Sequence, residues 1–251
     1  RGQSSRDGMI RLMTGRDLEE LHKPHDRVPG QALIQTKHGD AEIALHEREV
    51  VGLAGLLGSG TTDLLRGLFG AQPDTATLWL GGKETVIDTP SRAIGRGLGL
   101  VPGERAHGLT MALSVRDNMI LPNLSRFSRV WRLDISAIDR LVDELMETVD
   151  IRPRDPDRPV RELSGGNQQK VIFARWLAGH ASILLLDEPT HGIDVGAKAQ
   201  IHRLMRRFAE DGGGIVFSSS EMVEVMSISD RVIAMRAGDV VANFTRDGAY
   251  T

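Results

Sequence analysis

Residues 163–190 read LSGGNQQKVIFARWLAGHASILLLDEPT, and two features of this stretch decide the fold. Ile183 to Leu186 is apolar without alternation, as a strand buried on both faces of a sheet must be, and it ends abruptly in Asp187-Glu188. Ligands of open α/β sheets bind at the carboxyl ends of the strands, so the two carboxylates arrive where chemistry is done. Upstream, Val171, Ile172, Phe173, Ala174, Trp176 and Leu177 make a helix that is apolar nearly all round and therefore buried. Its N-terminus opens with Ser164-Gly165-Gly166, a hydroxyl and two unshielded amides at the positive end of the helix dipole, suited to a γ-phosphate presented from another surface. An ordinary N-cap at Ser164 is the plain alternative, although a cap needs neither both glycines nor the glutamines.

Further out, Val50 to Ala54 is a second apolar run, followed by Gly55-Leu-Leu-Gly58-Ser59-Gly60-Thr61-Thr62 and a helical pattern from Thr62 to Phe69 that stops at Gly70. Glycines at this spacing let successive amides curl around an anion at a helix start, which is the layout of a phosphate loop. Thr61 stands where such a loop carries lysine, while Thr62 keeps the hydroxyl that coordinates Mg²⁺. A glycine-rich strand-to-helix turn is also a packing device. Asp187 suits a water-mediated hold on Mg²⁺, and Glu188 suits the polarising of an attacking water, because phosphoryl transfer needs a placed nucleophile and a charge clamp. The alternative is that the acidic pair caps the next turn.

Other strands are expected at Ala76 to Leu80, Leu98 to Val101, Ile215 to Phe217 and Val232 to Met235, several of them of the buried parallel type. A helix is expected at Val195 to Glu210, and the Ala237-Gly238-Asp239 turn suggests a closing hairpin. From Arg105 to Leu163 the strand pattern vanishes, and Ile135, Ile138, Leu141, Val142, Leu145, Met146 and Val149 form one helical face behind a cap at Asp134. The expectation is an α/β core interrupted by a helical insertion over about residues 105–161. His180, His191 and His202 lack metal spacing and are expected to be solvated or capping, and His38 is expected on a solvated turn beside Gly39.

Bulk properties narrow the function. Twenty-eight glycines against six Phe, three Trp and one Tyr favour phosphate over flat ligands. A net charge of −3 with interspersed signs offers no basic stripe for nucleic acid. The absence of cysteine rules out thiolate catalysis and Cys-ligated zinc, and fits a reducing compartment. No stretch approaches the ~20 apolar residues of a spanning helix, so membrane association is expected to run through another protein. The polar start at Arg1 lacks a secretion-signal pattern and reads as part of something longer.

The stretch Leu163 to Gln169, followed by a strand ending Leu186-Asp-Glu-Pro-Thr190, resembles the ATP-binding-cassette ATPases. Gly192-Ile-Asp194-Val-Gly-Ala-Lys198 and Ser219-Ser220-Glu221-Met222 resemble the second cassette of the fused importers for ribose, galactose, xylose and similar sugars. Met13-Thr-Gly-Arg16 resembles their linker, and the similarity runs over nearly the whole chain. It implies an α/β P-loop NTPase (RecA-like) core with a mostly parallel sheet, an antiparallel β subdomain near the N-terminus and the helical insertion as a subdomain, with residues 1–30 as the tail of a preceding cassette plus the linker and 31–251 as a nucleotide-binding domain. Cassettes of this family pair head to tail, with each ATP between the phosphate loop of one and the signature of the other. Ser164, Gly165, Gly166 and Gln168 would then cover the γ-phosphate of ATP on the first cassette or on a second copy, and Asp194 belongs to the loop that crosses between halves.

The resemblance further implies ATP and Mg²⁺, membrane permease subunits, indirectly a periplasmic sugar-binding protein, and a peripheral place on the cytoplasmic face of the inner membrane. Four departures cluster on this chain's own site: Thr61 in place of a cation, no Phe, Tyr or Trp before Phe69 to stack adenine, Gly103 or Glu104 in place of the glutamine that contacts Mg²⁺, and Ser220 in place of the switch histidine. Glu104 is a candidate metal ligand and Arg105 a candidate replacement for the missing cation. Weak nucleotide binding and slow or absent turnover on this half follow. A scaffold that only completes the partner's site is the competing reading, and a soluble cassette serving translation or DNA repair is the third.

Overall fold

The computed structural model describes residues 30–38, 41–72, 76–129 and 132–245; the expected linker before Gly30 lies outside them. Two sheets form the body. The larger has six strands in the order β12-β11-β3-β10-β9-β6. Its parallel members are β3 (Val50–Ala54), β6 (Leu98–Val101), β9 (Ile183–Asp187), β10 (Gly214–Ser218) and β11 (Arg231–Arg236). The expected hairpin is there, with β12 (Asp239–Thr245) antiparallel to β11 at the edge. Every residue of β3, β9 and β10 is buried, which is why their sequences are apolar without alternation.

The second sheet is antiparallel, in the order β2-β1-β4-β5, and joins β1 (Ala32–His38), β2 (Ala41–His46), β4 (Ala76–Leu80) and β5 (Lys83–Ile87). The run at Ala76 to Leu80 therefore leaves the parallel sheet and pairs antiparallel with β1 and β5. Between β3 and β4 lies α1 (Thr61–Leu68), and α2 (Pro90–Gly95) leads into β6.

Residues 105–162 add no strand to the six-stranded sheet. They form α3 (Arg105–Gly108), α4 (Val115–Ile120), α5 (Leu124–Phe127) and α6 (Ile135–Thr148), and Asp134 caps α6 by accepting from the Ala137 amide at 3.0 Å. Strands do not vanish altogether: Ser128–Arg129 and Arg132–Leu133 make a short antiparallel ladder, β7-β8.

The helix read as buried all round is α7 (Gly165–Ala178), wedged between the large sheet and the helical segment. On the sheet side its Trp176 indole lies over Gly99 of β6, where a Cβ would stand 2.7 Å from the ring, and the indole N–H donates to the Leu100 carbonyl at 2.9 Å. Phe69 meets the same indole edge-on, with centroids 6.0 Å apart. On the other side Arg175 is 8% exposed, and its Nε and Nη2 donate to the carbonyl and side-chain oxygens of Asn118 at 2.7 and 3.0 Å. A third bond reaches the Gly108 carbonyl. Burial pushes the Arg175 pKa down to about 10, so the guanidinium stays cationic at neutral pH. Helix α8 (Val195–Glu210) covers α7 next to its N-terminus, and α9 (Met222–Ile228) follows β10.

Arg175 thus pins α4 and the end of α3 to α7 through acceptors that have no water to replace it. Arg175→Met is expected to lower the unfolding free energy by about 2–4 kcal/mol, the cost of orphaning buried acceptors, and to speed proteolysis within residues 105–162 in preference to the sheet. Urea unfolding with mapped limited proteolysis checks both.

Candidate functional site

Four parallel strands end at one place. β3 opens into the loop 55–60, where Gly58 and Gly60 take φ of +80° and +94°, and a Cβ on Gly60 would stand 2.8 Å from the Gly238 Cα. Helix α1 then starts with no side-chain cap. Thr89, Ser114, Asp134, Ser164 and Asp194 cap their helices with their own oxygens, while the shorter α3, α5 and α9 also start without a side-chain cap. The first-turn amides of α1 are left to an outside acceptor, which is the geometry of an anion site. Thr61 offers them no cation, and Ser59 Oγ is buried without a hydrogen-bond partner among the described residues, crowded under Gly55.

β9 delivers Asp187, 6% exposed, and its Oδ1 accepts from Thr62 Oγ1 at 2.9 Å and from Ser218 Oγ at 2.8 Å. The second contact follows from register, since Ser218 is the partner of Asp187 across β10-β9. A threonine hydroxyl that donates to a carboxylate keeps lone pairs for a metal, and these hard oxygens suit Mg²⁺. Glu188 comes next, in a left-handed conformation at φ +45°, and its carboxylate accepts from Ser220 Oγ at 3.2 Å. Burial pushes the Glu188 pKa up and Asp187 adds to the rise, against the opposing hydrogen bonds from Ser220 and the pull of His191. A carboxylate in that state is a better proton acceptor than an exposed one.

The end of β6 brings a correction. The residue beside Asp187 is Gly103, whose Cβ would stand 3.4 Å from Oδ2, while Glu104 is 78% exposed in its side chain and lies 3.7 Å from His107 Nε2. The expected metal ligand at Glu104 therefore points elsewhere, because its place as the residue before α3 turns it outward. Arg105 does not replace the lost lysine either. Its Nη1 donates to the His191 carbonyl at 2.9 Å, and its guanidinium lies beside Gly165 and Gly192.

At the mouth of α7 Ser164 is exposed, and its hydroxyl caps the helix by accepting from the Asn167 backbone amide at 3.5 Å and also accepts from the Asn167 side-chain amide at 3.0 Å. Capping and presentation at the surface thus coexist. Gly165 is half-buried, and Gly166 is buried because a Cβ there would stand 2.5 Å from Ala197 of α8, so its bareness serves helix packing. Gln168 departs from expectation: its amide donates to the Val160 carbonyl at 3.2 Å, tying α7 to the preceding turn instead of facing a phosphate. Asp194 is an exposed cap of α8, accepting from the Ala197 amide at 2.9 Å.

Two histidines are misjudged by sequence pattern alone. His38 Nε2 donates to the Gly238 carbonyl at 2.5 Å, and the Gly238 amide donates to the Ser59 carbonyl at 2.9 Å, so the ring braces the turn behind the phosphate-loop layout. His202, 8% exposed, contacts Glu224 Oε1 at 2.5 Å. Glu224 also accepts from Thr190 Oγ1 at 2.7 Å and from Ser219 Oγ at 2.6 Å, joining the loop after β9 to the loop after β10. The signal was present: 202, 205 and 209 share one stripe of α8, and Met205 and Ala209 are core. His180 and His191 are exposed, as expected, and no group of three or more metal-type side chains that could hold an ion occurs among the described residues.

Burial alone would raise the Glu224 pKa, yet the bonds from His202, Ser219 and Thr190 hold it at about 2, below the ordinary 4.5. A depressed carboxylate contributes stability that is full above pH 4.5 and lost as pH falls through 2. The urea midpoint should therefore drop more steeply between pH 5 and 2.5 in the native chain than in Glu224→Gln; parallel curves would refute the network.

A family model described as "ABC transporter" matches residues 39–191. The ribose import ATP-binding protein RbsA of Chromobacterium violaceum is 39% identical over 251 residues, covering 96% of this chain and 50% of its own length. That of Bacillus subtilis is 37% identical, covering 93% and 49%. A putative ribose/galactose/methyl galactoside import ATP-binding protein of Geobacillus kaustophilus is 40% identical, covering 98% and 51%. The chain spans about half the length of these relatives. In fold it matches an ATP-binding cassette of an ABC transporter in its ADP conformation, with TM-score 0.72 and 16% identity over 86% of this chain and 92% of that one. A dimeric cassette with ADP and phosphate gives 0.69 and 22% over 84% and 98%. No helix among the described residues is long and apolar enough to cross a membrane. With the uncapped loop, the paired strand-end carboxylates and the surface serine in one body, the chain belongs to the ABC transporter family as an ATP-binding domain related to the ribose import ATPases.

Proposed function

We propose that this chain is the second cassette of a fused sugar-import ATPase, and that its main contribution is a phosphate clasp closing on ATP held by the preceding cassette. The observation that carries the reading is the exposed Ser164 hydroxyl at the mouth of an otherwise buried helix, on a body whose own phosphate loop has Thr61 in place of a cation. Relatives named as ribose importers and about twice as long support both the pairing and the sugar. Leu56 and Leu57, 88% and 108% exposed on the loop, support a face that a partner covers.

On this chain's own site, Thr62 and Asp187 would hold Mg²⁺, which when bound neutralises charge on the phosphate oxygens. The uncapped amides of α1 would orient the nucleotide's phosphates. Glu188 would take a proton from the attacking water. Ser220 donates to Glu188 but carries no positive charge toward a transferring phosphoryl group, so turnover here is slow. Closure of the pair on ATP and reopening after hydrolysis would drive a membrane permease that receives the sugar from a periplasmic binding protein, with the chain held peripherally at the cytoplasmic face. The scaffold reading gains from the outward turn of Glu104, whereas the Thr62–Asp187 contact favours residual nucleotide binding.

This chain alone is expected to show little ATPase activity and to restore it on mixing with the preceding cassette. Ser164→Ala should lower the restored rate by about ten- to a hundredfold, and an unchanged rate would refute the clasp. In a separate titration of this chain, Thr61→Lys should tighten MgATP binding by about one to two decades, the worth of a charge-assisted contact of about 1.5 to 3 kcal/mol.

A further inference from the structure

We propose that Arg105 is the cation of the shared site, reaching from this chain to the terminal phosphate of the nucleotide held by the partner cassette. The proposal rests on the clasp reading above and adds a residue to it.

The geometry comes from three segments that are far apart in sequence. Arg105 opens α3, immediately after the strand that ends at Val101. Its Nη1 donates to the His191 carbonyl at 2.9 Å, and its Cζ and Nη2 lie 3.4 Å from where a Cβ on Gly165 would be. The two terminal nitrogens are 3.7 and 3.8 Å from the same point on Gly192. The guanidinium therefore lies against the first residue of α7, the sequence neighbour of the exposed Ser164. A Cβ at Gly165 would stand in ordinary van der Waals contact with the guanidinium, so the arginine packs directly against that residue.

The electrostatics of this placement are incomplete. The first turn of α7 carries about half a positive charge, so a cation beside it is disfavoured unless an anion joins the two. No carboxylate lies within ion-pair distance of the Arg105 guanidinium among the described residues. Glu104 faces His107, and Asp194 is engaged with the Ala197 amide. Among the described residues the guanidinium makes one hydrogen bond, to a neutral carbonyl, which leaves a fork of donors of the kind that grips phosphate from two sides. A phosphate oxygen arriving at Ser164 would meet the hydroxyl, the helix dipole and the guanidinium together. An isolated Arg–carbonyl clamp explains the bond to His191 but not the cation at the positive end of a helix.

The test uses the protein carrying both cassettes, and measures equilibrium binding of a non-hydrolysable MgATP analogue and of MgADP. Arg105→Gln is expected to weaken the triphosphate by about ten- to a hundredfold while leaving ADP unchanged, with Arg105→Lys recovering part of the loss. A merely structural arginine would shift both nucleotides alike, or neither, and either result overturns the proposal. Ser164→Ala serves as the parallel arm. If it loses triphosphate selectivity and Arg105→Gln does not, the arginine is refuted and the clasp stands. If neither variant changes the ratio, both are refuted. Arg105→Lys keeps the charge, so selectivity recovered by lysine with an unchanged melting temperature separates contact from folding.

Discussion

The burial of one helix organises this domain. Val171 to Leu177 is apolar on nearly every side, so α7 must be enclosed by both the large sheet and the helical segment. Trp176 over Gly99 makes the first contact and Arg175 on Asn118 the second. A helix clamped along its length has its ends where the clamps stop. The N-terminus emerges at the surface with Ser164 exposed, and Ala197 against Gly166 sets how deep the next turn sits. The position of the proposed clasp is thus a consequence of packing far from it.

Two chemistries share the body and differ in completeness. The strand-end site has its metal-type oxygens in register, with Thr62 and Ser218 converging on one oxygen of Asp187, yet it lacks a cation at Thr61, a side chain at Gly103 and a charge at Ser220. The mouth of α7 has the reverse character: a surface hydroxyl, a helix dipole and Arg105, with no metal oxygens at all. A division of labour between two cassettes accommodates both observations, since each ATP then needs only one complete half from each side. The buried Glu224 links the loops after β9 and β10, so the segments that carry Glu188 and Ser220 share one support.

Most of the scaffold was legible because it depends on period and run length. Unbroken apolar runs located β3, β6, β9, β10 and β11, and i, i+3, i+4 spacing located α8 and the Asp134-capped α6. Strand partnership was not legible for Ala76–Leu80, since a short apolar run carries no direction. At the candidate site, residue type singled out Thr62, Asp187 and Ser164, but where a side chain points depends on its neighbours. Glu104 turns outward, Gln168 is drawn to the Val160 carbonyl, Arg105 swings to Gly165, and His202 is pulled inward by Glu224. Helix-start geometry decided the first and contacts with other segments the rest, and composition could show neither.

The most direct test of the account exploits the absence of cysteine from this chain. A Ser164→Cys variant, paired with the preceding cassette, carries one thiol on this chain at the mouth of α7, and its rate of alkylation reports whether that mouth is covered. The account predicts rapid labelling without nucleotide and strong protection by MgATP but not by MgADP. Labelling that is equally fast in all three conditions would contradict it.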